Sequence, residues 1–182
     1  RFRLGLGTQV KGHIQRRFST EWSAPGPRIR EYVQSLHAIW DAWQTGERLA
    51  FHGDYYNFSL MTPFFSPGPS EQPHPPVFIS AVNPYNCRVA GEVCDGLSLH
   101  PLCSPEYLGQ VIAPSIATGA AKAGRDPKSL NVNGSSFVIT GPSQAAIDEK
   151  KADVRRRIAF YSSTRTYSKV LEVHGFDDVG VR

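Results

Sequence analysis

The chain has 182 residues, 40% hydrophobic and 20% charged, which suits one soluble globular domain with a core of its own. The net charge is +4, and no window approaches the roughly 18 apolar residues of a membrane span, which excludes a membrane-spanning helix. Basic residues cluster at Arg16-Arg17, Arg28/Arg30 and Arg155-Arg156-Arg157, but aromatics do not interleave with them as stacking sites would. These clusters therefore read as solvated helix faces with one or two anion contacts, and no nucleic-acid partner is expected.

In chain order, Phe2–Gly7 reads as a first strand. Pro27 opens a long helix in which Ile29, Val33, Leu36, Trp40 and Trp43 trace one apolar stripe, closed by Gly46. Residues 51–76 are rich in Pro and aromatics and have no period, so they read as an ordered surface excursion held by aromatic side chains. Val77–Ala81 is a second strand, short and apolar enough to be covered on both faces. Asn83-Pro84 breaks it, Pro84 suits the first turn of a helix, and Tyr85, Val89 and Val93 recur at helical spacing beside Ala90. Leu97–His100 is a third strand. Ser104-Pro105 caps a helix carrying Tyr107, Leu108, Val111 and Ile112, with a kink expected at Pro114 and an end at Gly124. Ser136–Thr140 is expected as a fourth strand. A helix from Ser143 to about Tyr161 follows, and a last one from Thr164 to His174 stops at Gly175.

Alternating strands and helices predict an α/β domain with a parallel sheet, and the whole chain, 1–182, reads as a single domain. A closed (β/α)8 barrel needs eight strands and typically about 250 residues, so this is either half of a barrel or a small open sheet. The chain opens inside an expected strand with no polar lead-in, which points to a truncated start. Cys87, Cys94 and Cys103 lack CxxC spacing; Cys87 and Cys94 share one helix and read as buried free thiols, and a reducing cytoplasm follows.

Three places attract chemistry. Gly5-Leu6-Gly7-Thr8-Gln9-Val10-Lys11-Gly12-His13 places glycines at a strand end with polar Thr8, Gln9 and His13 beyond it, although a lone GxG is weak evidence and a simple turn explains it more often than not. Ala81-Val82-Asn83 places a helix N-terminus at the end of the next strand, where a phosphate can sit. His100 ends the third strand, as a ligand contact or as a packed, hydrogen-bonded histidine. His37, near an apolar stripe, reads as structural. There is no GxSxG, HExxH, P-loop or useful carboxylate pair, and no metal is expected, so a bound cofactor would supply the chemistry.

The segments LGLGTQVKGHIQRRF, RIREYVQSLHAIWDAW, FHGDYYNF, LMTPFFSPGP, PPVFISAVNPYNCRVAGEVCDG, AGRDP and RRRIAFYSSTRTY, in this order and spacing, carry a resemblance. Over essentially its whole length the chain resembles the luciferase-like monooxygenase superfamily, and within it the deazaflavin-dependent oxidoreductases. The resemblance implies a (β/α)8 TIM barrel of the bacterial-luciferase-like type, here an incomplete barrel of about strands four to seven with their helices. It implies hydride transfer between coenzyme F420 and a small organic substrate, with an FMN-dependent monooxygenase as the alternative. Cofactor contact falls on Gly7, Thr8, Gln9 and His13 after the first strand. The phosphate falls on Ala81, Val82 and Asn83, with Asn86 one helical turn on. Relatives often have Gly at or near Asn83. Val10 stands where some sugar-phosphate dehydrogenases of the family carry a Glu proton donor, which argues against their acid chemistry here. A homodimer is expected, and the competing reading is an inactive half-barrel that self-associates through its open apolar edges.

Overall fold

Short strands and longer helices alternate through the computed structural model, which describes residues 2–176. In chain order they are β1 (Leu4–Leu6), α1 (Pro25–Thr45), a hairpin of β2 (Phe51–His52) and β3 (Asn57–Phe58), and β4 (Val77–Ser80). There follow α2 (Pro84–Val93), β5 (Gly96–Ser98), α3 (Pro105–Tyr107), α4 (Ala113–Lys122), β6 (Asn131–Asn133), α5 (Gln144–Ser162) and α6 (Ser168–Glu172). The main sheet is parallel in the order β1-β4-β5-β6, so each successive strand lies beside the one before it, with Leu6 opposite Ile79, Ile79 opposite Leu97 and Leu97 opposite Val132. Val77, Ile79 and Leu97 are fully buried, and they meet Val33, Cys87, Val89, Ala90, Ile112 and Ile116 from the helices. Among the described residues β1 and β6 are the two edges of this sheet.

Several sequence expectations shift. The long helix opens at Pro25 rather than Pro27, and Gly46 closes it in the left-handed conformation at φ 73°. Within 51–76 the chain is not wholly irregular, because Phe51 pairs with Phe58 and His52 with Asn57. Tyr85 lies on the exposed side of α2, and the buried face is made by Asn86, Cys87, Val89 and Ala90. Just before Pro114 a wide π turn over Leu108–Ile112 precedes α4, and in it the Ala113 N–H reaches back to the Leu108 carbonyl. Pro114 has no N–H to continue an α ladder, and the wider turn accommodates it. The segment expected as the last helix is a 3-10 turn at Arg165–Tyr167 followed by α6.

The fourth strand is Asn131–Asn133, not Ser136–Thr140. Asn131 donates to the Asp95 carbonyl and Leu99 to the Asn133 carbonyl, which uses the free edge of β5. Beyond Leu99 the neighbouring chain turns at His100-Pro101, so Ser136–Thr140 finds no edge to join, and Val138 is 80% exposed.

Helix α2 packs on α4 at glycine-close range. A Cβ on Gly119 would lie 1.9 Å from the Arg88 carbonyl oxygen, and one on Gly91 would lie 2.2 Å from that of Ile116. Glu92 ties three helices, with Arg30 of α1 at 2.7 Å and Lys122 of α4 at 2.9 Å. Arg125 donates to the carbonyls of Gly91 at 3.2 Å and Cys94 at 2.7 Å, satisfying acceptors that the end of α2 leaves open. The 51–76 excursion is fixed to α1 by Glu31, whose carboxylate accepts the backbone N–H groups of Asp54, Tyr55 and Tyr56 at 2.9, 2.7 and 2.6 Å. Trp43 and Gln44 of α1 hold its far end through Met61 and Ser70. No described helix is long and apolar enough to cross a membrane.

Candidate functional site

In parallel sheets covered by helices, ligands sit in the crevice at the carboxyl ends of the strands. There β1, β4 and β5 converge on a cavity of about 470 Å3. Gly7, Thr8 and Gln9 line it from the end of β1, and Ala81, Val82, Asn83 and Asn86 from the turn between β4 and α2. Seven of the eight residues to which the resemblance assigned cofactor contact thus share one cavity. The eighth, His13, is not among its lining residues; its Nδ1 lies 3.2 Å from Gln9 Oε1, which makes it a neighbour of a lining side chain.

The β4–α2 turn has the chemistry of an anion cradle. Asn83 is the N-cap of α2 and its Oδ1 accepts the Asn86 N–H at 2.9 Å. Pro84 brings no N–H, and the backbone N–H groups of Val82, Asn83 and Tyr85 have no partner among the described residues. Such donors at the positive end of a helix suit a phosphate. Asn86 is only 4% exposed, and its side-chain amide has no hydrogen-bond partner among the described residues. The turn is held from below by Tyr107, fully buried, whose hydroxyl donates to the Val82 carbonyl at 2.8 Å; burial pushes that hydroxyl's pKa up, so it stays a donor.

On the other wall, Gln9 takes a left-handed backbone at φ 56°, a conformation that costs a residue with a Cβ about 1 kcal/mol. A Cβ on Gly7 would meet nothing within 4 Å, so the space beside the strand end is open for a ligand to approach backbone.

His100 lies at the floor with Ser98 and Leu99. Its Nδ1 accepts the Leu102 N–H at 3.1 Å, which puts the ring proton on Nε2, and burial lowers its pKa, so the neutral form carries that donor at neutral pH. Tyr161 stands edge-on at 4.4 Å and Tyr167 lies at 4.7 Å, so the histidine is both packed and in the cavity wall. Thr166 and Tyr167 also line the cavity, and sequence reasoning assigned them no role. No sequence pattern places Tyr161 and Tyr167 beside His100, more than sixty residues away; their segment, RRRIAFYSSTRTY, entered only as part of the resemblance. His37 lies away from this cavity, against Trp40 with its pKa lowered by burial, and lines a separate cleft with Asp41, His74 and Asp95.

A family described as luciferase-like monooxygenase matches residues 1–182. An uncharacterized protein of Mycobacterium tuberculosis is 45% identical over 176 residues, 97% of this chain and 52% of its own. An F420-dependent glucose-6-phosphate dehydrogenase of Nocardia farcinica is 31% identical over 135 residues, 72% of this chain and 38% of its own. In three dimensions the chain is similar to the coenzyme F420 dependent tetrahydromethanopterin reductase of Methanopyrus kandleri. The TM-score is 0.66 at 21% identity, with 96% of this chain and 51% of that one covered. The chain therefore spans about half the length, or less, of the relatives it matches. A match along its whole length, on a parallel sheet with its crevice at the strand ends, shows that the chain belongs to the luciferase-like monooxygenase family.

Proposed function

We propose that this chain carries the cofactor half-site of a coenzyme F420-dependent oxidoreductase, one that transfers a hydride between the cofactor and a small organic substrate. One observation carries the reading: Gly7–Gln9 and Ala81–Asn86, two segments about seventy residues apart, meet in one cavity beside unpartnered backbone donors at the start of α2. The donor set fits a phosphate, and the open flank of Gly7 fits a flat ring laid against backbone. When bound, the cofactor would supply a ring carbon that gives or takes hydride. The protein's own part is to hold the phosphate on Val82, Asn83 and Tyr85, to keep the turn in place through Tyr107, and to offer the His100 Nε2–H as a neutral donor. Relatives named as F420-dependent enzymes favour the deazaflavin over FMN. In a complete barrel the free edges of β1 and β6 would each meet a further strand, consistent with the chain's spanning half of its relatives.

Fluorescence titration with coenzyme F420 and, in parallel, FMN tests this. Saturable binding of F420 is expected, and Asn83→Asp should weaken it about tenfold, because a carboxylate repels the phosphate. Asp caps a helix as well as Asn, so thermal stability should be unchanged. Unaltered affinity in that variant would remove Asn83 from the site.

A further inference from the structure

A second cavity, of about 320 Å3, opens on the other flank of the β1 terminus and shares Gly7 and Thr8 with the first. That volume lies within the range of small-molecule sites, ~300–1,000 Å3. Trp22, Tyr32, Tyr56, Ile14 and Ile29 give it an aromatic and aliphatic lining, and Arg28 is the one Lys or Arg among the described residues that line it.

The placement of Arg28 is unusual in three respects. Its Nε donates to the Tyr56 hydroxyl at 3.0 Å and its Nη1 to Ser23 Oγ at 3.2 Å, so the side chain is held by neutral partners, and the guanidinium lies 5.7 Å from the centre of the Tyr56 ring. It forms no ion pair among the described residues; Glu21, the acid at the cavity rim, is exposed and does not reach it, whereas Arg30 on the same helix is paired with Glu92. It also sits in the first turn of α1, where the helix dipole disfavours a cation and no acidic residue compensates. A partly buried cation oriented by neutral groups at the positive end of a helix breaks the local rule for charge placement, as side chains kept for a ligand do. Its Nη2 has no partner among the described residues and is free for an anion.

We propose that this second cavity binds a small organic carboxylate, its anionic head on Arg28 and its apolar or aromatic body against Trp22, Tyr32 and Tyr56. One cation in an apolar cleft matches one negative charge, and a doubly charged phosphate would be left half neutralised. Only the further step, that this acid is the substrate beside the cofactor, rests on the function proposed above; the shared Gly7-Thr8 strand end gives it that position.

The test compares benzoate with its neutral isostere benzamide, read by Trp22 fluorescence; Trp40 and Trp43 lie outside this cavity. Benzoate should give saturable quenching at least about tenfold tighter than benzamide, the scale of one charge-assisted hydrogen bond. Arg28→Gln, which keeps a donor for Ser23 or Tyr56 but no charge, should bring benzoate down to the affinity of benzamide, with circular dichroism confirming the fold. Equal affinity for the two probes on the unaltered chain, or no saturable response to either, would overturn the proposal, and this comparison needs no variant to fold. Benzoate binding should also persist with F420 at saturation; mutual exclusion would overturn the assignment to a second ligand. Failure of F420 and FMN to bind would remove the cofactor reading while leaving the benzoate result standing.

Discussion

Replacing Gly119 with Ala sets two effects of known sign against each other. Alanine is the better helix former by about 1 kcal/mol, so on propensity alone the variant should be more stable. The new Cβ would, however, stand 1.9 Å from the Arg88 carbonyl oxygen and 2.7 Å from its carbon, both of them backbone atoms that no rotamer change can move. Restoring ordinary contact at 3.4 Å requires α2 and α4 to part by about 1.5 Å. A gap of that size forfeits half or more of the dispersion energy along the seam, and overpacking a tight core costs ~1–3 kcal/mol before such losses. The net expectation is a destabilisation of ~1–2 kcal/mol or more, a fall in melting temperature of roughly 2–8 °C or more for a chain this long. Thermal unfolding followed by circular dichroism measures it. Gly109→Ala is the matched control: a Cβ there meets nothing within 4 Å, so its melting temperature should hold or rise by a few degrees, ~0–4 °C. Because α2 begins at the turn proposed above to hold the cofactor's phosphate, Gly119→Ala should also weaken F420 binding. A Gly119→Ala chain that melts at or above the parent would refute the claim that helix proximity, rather than propensity, decides this position.

Tyr107→Phe removes the hydroxyl that donates to Val82 and leaves that carbonyl unpartnered, so stability should fall by ~1–2 kcal/mol and F420 affinity should drop without loss of helical signal. For Glu92, burial pushes its pKa up, but the bonds from Arg30 and Lys122 outweigh this and hold it below its ordinary 4.5. The stability this ionised group contributes is present above pH 4.5 and is lost as the pH falls through its lowered folded value. Glu92→Gln should therefore be less stable than the parent at pH 7 and should converge with it in acid; parallel acid-unfolding curves would count against the tie. Burial pushes the Cys87 and Cys94 thiols up to about 12, so in native protein at pH 8 a thiol reagent should modify half-buried Cys103 first. Rapid labelling of all three would show that the α2 face opens readily.

Helices were legible in the sequence because their signals are local. Ser143 and Asn83 cap where their side chains reach the next turn's N–H, and Gly46 ends α1 because glycine takes the left-handed conformation there without strain. The edge strand was not legible. Phe137, Val138 and Ile139 look like a strand by composition, yet Asn131–Asn133 holds the place because the free carbonyls and N–H groups of β5 lie opposite it. Pairing of that kind is a property of position in the sheet, and an exposed polar edge carries no hydrophobic pattern to betray it. At the site, Gly7–Gln9 and Ala81–Asn86 could be found because each lies at the end of an apolar run. The support from Tyr107, 25 residues beyond Val82, could not be found, since a tyrosine at helical spacing reads as core and its hydroxyl's partner is set by packing. Arg28 and Arg30 look alike in sequence, and only the neighbours each one meets separate them.

Arg125 has a bearing on how the chain folds as it is made. Its two bonds reach acceptors 34 and 31 residues earlier, at the close of α2. A nascent chain that has released α2 from the ribosome still has those carbonyls facing water, and it must extend through α3 and α4 before the guanidinium emerges. At ~5–20 residues per second that interval lasts seconds, long beside the microseconds a helix needs to form. The second strand–helix unit therefore waits on the third to be sealed, and a ribosome stalled between Cys94 and Arg125 would hold a helix whose last turn is open.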